Sequence, residues 1–73
     1  MRIVSGTHKK FGVRLKMLRK EKKMTQEELA FRVGVDRSYM GFVERGEKNP
    51  TLKNIVGISK ALKVTLSELF NSI

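Results

Sequence analysis

The chain has no cysteine and no tryptophan, one proline and one histidine. Without cysteine there is no disulfide to staple a small fold and no thiolate to hold a metal. A single histidine, His8, gives no second imidazole to share a metal, so neither a structural metal nor a cofactor is expected. No apolar run approaches the roughly 20 residues that a membrane-spanning helix needs. The opening MRIVSGTHKK lacks the apolar core of a secretion signal, so a cytoplasmic location is expected. Acidic side chains are scarce as well: 7 Asp and Glu stand against 16 Lys and Arg, for a net charge of +9. That balance suits an anionic partner, whether nucleic acid, an acidic protein or a membrane surface. A basic helix that docks on a membrane carries tryptophan or a broad apolar face, and neither is present. No nucleophile stands beside a base and no paired carboxylates are evident, so an enzyme is not expected.

With 73 residues the chain is expected to be one domain, with residues 1–7 as a short arm. A domain of this size has a modest core, and many such domains gain stability by pairing. What is plentiful is helical spacing. Phe11, Leu15 and Leu18 mark the buried face of a first helix from about Lys9 to Lys22. Thr25 followed by Glu28 is a capping box. It opens a second helix, Gln26 to Val33, with Leu29, Ala30 and Val33 on one stripe. Gly34 suits a left-handed helix end, and Val35 can plug the angle that follows. Asp36 is an N-cap for a third helix from about Arg37 to Arg45, with Met40 and Val43 inward. Pro50 makes EKNPT a loop. Thr51 caps a fourth helix with Leu52, Ile55, Ile58 and Leu62 inward, and Lys63 ends it. Thr65 and Glu68 form a second capping box ahead of a last short helix with Leu66, Leu69 and Phe70. The fold class is therefore all-α, with five helices.

The second and third helices, joined by a tight turn, have the layout of a helix-turn-helix, whose second helix enters the major groove of DNA. The segments TQEELA, DRSYMGFVERG and NPTL resemble the Cro/C1-type (XRE-like) helix-turn-helix family from roughly Phe11 to Phe70. Within it they look most like the controller proteins of restriction–modification systems. This resemblance implies a five-helix lambda-repressor-like domain. It implies a transcription regulator that binds double-stranded DNA as a homodimer on a palindromic or near-palindromic operator. RNA polymerase is a candidate further partner, and no small-molecule effector is evident. A phage-type or antitoxin-type repressor is the alternative within the class. A protein-interaction adaptor on the same fold is the alternative outside it.

The charge is unevenly placed. Residues 1–23 carry nine basic side chains against one acid, Glu21, whereas residues 24–46 are close to neutral. The basic excess thus lies beside the reading helix, so that phosphate attraction gives affinity and a few outward side chains give sequence choice. Arg37, in the first turn of the reading helix, can give two hydrogen bonds to guanine O6 and N7. Ser38 can bond a base edge or a phosphate. Tyr39 can bond a phosphate or pack its ring within the domain. Gly41 leaves room for the helix to approach the groove, and Phe42 can touch a thymine methyl or cover the core. Gln26 lies at a helix N-terminus that favours an anion. The family places a glutamine there against phosphate, with Thr25 able to add its hydroxyl. The resemblance also makes Arg45, Lys48 and Asn49 a backbone clamp, and pairs Arg19 with Glu44 as a partly buried ion pair. Glu27, Glu28 and Glu44 are then accounted for by capping and pairing rather than catalysis. The expected dimer surface is Val64, Leu66, Leu69, Phe70 and Ile73, more apolar residues than a tail helix needs for one small core.

Overall fold

The computed structural model describes residues 6–71 and 73. Five helices follow in order: α1 Gly6–Glu21, α2 Gln26–Val33, α3 Arg37–Glu44, α4 Leu52–Leu62 and α5 Leu66–Leu69. No strand occurs among the described residues. The helix ends are set by local chemistry. Thr25 Oγ1 accepts from the Glu28 N–H at 3.0 Å, and the Glu28 carboxylate accepts from the Thr25 N–H at 2.8 Å. The same reciprocal pair joins Thr65 and Glu68 at the start of α5. These bonds satisfy donors that a helix start leaves without partners. Asp36 accepts from the Ser38 N–H at 3.0 Å, and Thr51 accepts from the Asn54 N–H at 3.1 Å. Gly34 ends α2 at φ +89°, where a side chain would strain the backbone. Lys63 takes the same left-handed role after α4 at φ +58°.

One core joins all five helices. Phe11, Leu15 and Leu18 come from α1, Leu29 and Ala30 from α2, Met40 and Val43 from α3, Ile58 and Leu62 from α4, and Leu69 from α5. A four-residue helix has no stability alone. Helix α5 persists because Leu69 is fully buried, its capping box is complete, and the Arg14 guanidinium donates to the Glu68 carbonyl at 2.7 and 3.0 Å. Helix α1 crosses α3 closely. A Cβ at Gly12 would overlap the backbone carbonyl of Glu44 and come within 2.7 Å of that of Val43. The approach is looser at Gly57, where a Cβ would meet the Val33 side chain of α2 at 3.3 Å.

The structure corrects several expectations. Gly6 and Thr7 belong to α1 and not to an arm; the rest of the expected arm, residues 1–5, lies outside the described residues. Helix α1 thus starts three residues early, and α3 stops at Glu44 with Arg45 as its cap. Leu52 is 75% exposed. Burial fades along its stripe, from the buried Ile58 through the partly buried Ile55 to Leu52. Leu69, expected at a dimer surface, has no exposed area and closes the domain's own core.

Candidate nucleic-acid interface

Helix α3 is held by a buried ion pair. The Glu44 carboxylate accepts from Arg19 Nε at 2.6 Å and from Arg19 Nη2 at 3.1 Å, a two-pronged contact that matches the guanidinium fork. The two side chains are 8% and 2% exposed. Arg19 Nη1 also donates to the Met24 carbonyl at 2.7 Å, just before α2. Gln26 Nε2 donates to the same Glu44 carboxylate at 3.0 Å. One carboxylate therefore fixes α1, the start of α2 and the end of α3 in a single arrangement. Arg19 and Glu44 thus lie together as the resemblance implied.

The side chains that could meet DNA are placed around this knot. Arg37 and Ser38 are exposed at the N-terminal end of α3. Tyr39 is half-buried against the core, and its hydroxyl accepts from Asn54 Nδ2 of α4 at 3.1 Å. Of its two readings, the structure places the ring within the domain. Gly41 is buried rather than outward. A Cβ there would lie 3.2 Å from Arg45 Nη1 and 3.7 Å from Gln26 Oε1, so the missing side chain makes room for protein groups. Phe42 is 37% exposed. The Arg45 guanidinium lies 5.0 Å from its ring centre and the Lys48 ammonium 5.8 Å. Both are within the range of a cation–π contact. Asn49 is exposed on the following loop.

Gln26 stands at the first position of α2, where backbone N–H groups point outward and the helix dipole favours an anion. Its side-chain amide is turned inward to Glu44, and Thr25 before it is exposed. The Glu28 carboxyl is held below the usual carboxylate range, first by the hydrogen bond from the Thr25 backbone and then by that from its side chain. Away from α3, Leu66, Phe70 and Ile73 are 43%, 40% and 40% exposed, and Val64 is half-buried against the core.

Tyr39–Asn54 and Arg45–Glu47 are among the contacts that periodicity along the chain does not signal. The Tyr39–Asn54 bond spans a loop and carries no periodic signal. Arg45 Nε donates to the Glu47 carboxylate at 3.1 Å. That pair is two residues apart, a spacing that helical periodicity does not relate.

The Helix-turn-helix family profile matches residues 15–69. The chain is 46% identical over 65 residues to control protein C.MunI of a Mycoplasma species, covering 88% of each. It is 42% identical over 62 residues to control protein C.BamHI of Bacillus amyloliquefaciens, covering 84% of this chain and 76% of that one. The crystal structure of the restriction–modification controller protein C.AhdI from Aeromonas hydrophila superposes with a TM-score of 0.88 at 48% identity. That match covers 90% of this chain and 100% of the other.

Proposed function

This chain belongs to the helix-turn-helix family of DNA-binding transcription regulators, and from that premise we propose that it binds a palindromic or near-palindromic operator as a homodimer. The regulated genes on this reading are those of a restriction–modification system, the role named for its controller-protein relatives. The protein acts in the cytoplasm, beside a promoter, where RNA polymerase is its further partner. The observation that carries the reading is the placement of Arg37. It is exposed at the start of a helix whose far end is locked to α1 by the Arg19–Glu44 pair. An arginine so placed offers its fork to guanine while the helix position is fixed by the core. The N-terminus of α2, Arg45, Lys48 and Asn49 take phosphates on either side, and the net charge of +9 strengthens that attraction.

The size of one copy supports the dimer. The longest dimension is 33 Å, and one copy carries one reading helix. Half-sites in this mode are about 34 Å apart, so a second copy is needed to read the second one. Leu66, Phe70 and Ile73 are the apolar side chains of the C-terminal region left for that contact.

Selection of binding sites from random duplex DNA tests this reading, with the winner and a scrambled duplex compared at two salt concentrations. The expected result is an inverted repeat bound about 10³-fold or more over scrambled DNA. Arg37→Ala should then relax the preference at one guanine per half-site, by roughly 1–3 kcal/mol. Equal binding of both duplexes, fading equally with salt, would leave only the net charge and overturn the specific-regulator reading.

A further inference from the structure

The loop after the reading helix carries an acid where a phosphate clamp calls for bases. From Arg45 to Ser67 the only acidic residue is Glu47, set among Arg45, Lys48, Lys53, Lys60 and Lys63. Its carboxylate accepts from Arg45 Nε at 3.1 Å, with the two side chains 49% and 54% exposed. The guanidinium it holds is already folded back on α3. One face of it is within cation–π range of Phe42, at 5.0 Å. Its Nη1 lies over Gly41, 3.2 Å from where a Cβ would stand. Arg45 thus lies against the protein with an internal anion on its Nε edge, one of the two edges from which a guanidinium grips a carboxylate or a phosphate.

We propose that Glu47 is a positioning residue that acts through Arg45, occupying the Nε edge of its guanidinium in the free protein in competition with DNA phosphate. This rests on the DNA-binding reading above. A phosphate that takes the Nε edge of Arg45 must displace the Glu47 carboxylate, and the lost ion pair is what binding gives up. The effect lowers affinity for DNA of any sequence without touching a base. It holds down the sequence-blind binding that a charge of +9 promotes. An ion pair as exposed as this one is weak, so phosphate can displace it. Phe42 supports Arg45 from the side and shares its ring with Lys48, keeping both cations at the end of the reading helix.

The test is a double-mutant cycle on the full chain with Glu47→Gln, Arg45→Ala and the double variant. Two readouts are taken. One is affinity for the selected and the scrambled duplex over a range of salt. The other is the response of the Arg45 Nε–H resonance to inorganic phosphate. Glu47→Gln should raise affinity for both duplexes about two- to five-fold, the range set by the weakness of an exposed pair. It should also steepen the salt dependence by about one phosphate contact. In the Arg45→Ala background the same change should have little effect. Phosphate should shift the Arg45 signal at lower concentration in Glu47→Gln than in the unaltered protein. A gain that persists without Arg45 would mean that Glu47 repels DNA only through space and would overturn the proposal. So would an unchanged salt slope with an unchanged phosphate response. If no variant binds duplex while phosphate still reaches Arg45 more readily in Glu47→Gln, the DNA-binding reading fails and the competition stands.

Discussion

At the scale of single residues, two ion pairs of the same chemistry have opposite standing. Arg19–Glu44 is 8% and 2% exposed, whereas Arg45–Glu47 is about half-exposed on both sides. Glu44→Ala would leave the Arg19 guanidinium buried beside an absent partner and Gln26 without its acceptor. Breaking a buried pair from one side costs roughly 3–5 kcal/mol. Urea unfolding should therefore show a large drop in midpoint for Glu44→Ala. Glu47→Gln should leave stability within about 1 kcal/mol. A small effect of Glu44→Ala would mean that water reaches Arg19 and that α3 is held to α1 by apolar packing alone. The difference between the pairs is burial, and burial also divides their tasks. The inner pair ties α3 to α1, while the outer one faces solvent.

At the scale of elements, α2 and α5 begin with the same device, a threonine and a glutamate three residues on that cap each other. Both carboxyls are held below the usual carboxylate range, by the backbone hydrogen bond first and the threonine side chain second. The sign of the consequence follows from linkage. The unfolded chain binds these protons at higher pH than the folded one, so stability rises with pH across that window. The contribution is complete above the ordinary carboxylate value and is lost as pH falls through the lowered folded values. Melting temperature should accordingly decline on acidification from about pH 6 to pH 3. Glu28→Gln with Glu68→Gln keeps an oxygen to accept each backbone N–H but removes the titration, so its decline should be shallower. An equally steep decline would place the acid sensitivity in other carboxylates.

At the scale of the whole molecule, the issue is what covers the C-terminal apolar side chains. Leu69 is used inside the domain, and Phe70 stacks on Phe11 with ring centres 5.4 Å apart. Leu66 is exposed on the same helix, so a charge there spares the monomer's core. Leu66→Asp should yield a folded monomer by sedimentation. It should bind a single half-site with the guanine preference of the parent protein but lose the tight binding of the inverted repeat. A dimer that persists in this variant would move the contact to another face.

Much of this was legible in the chain itself because it is local. A capping box, a left-handed glycine and an i, i+4 apolar stripe each depend on neighbours within a turn. For that reason α2 falls on the expected residues, and the caps at Thr25, Asp36, Thr51 and Thr65 are where the sequence places them. The Arg19–Glu44 partnership came from resemblance, since spacing alone relates no two residues 25 apart. Tertiary packing decided the rest. Helical spacing ranks Leu52 with Ile58 and Leu69 with Leu66, yet one of each pair is buried and the other exposed, according to which helix lies opposite. Gly41 reads as an outward gap until Arg45 folds over it. The sequence by itself determined the helices, their ends and their inner faces, because hydrogen bonding and periodicity act along the chain. Only the tertiary structure decided which apolar side chains stayed exposed and which cations were tied to protein groups, because those depend on what packing across the chain had already taken.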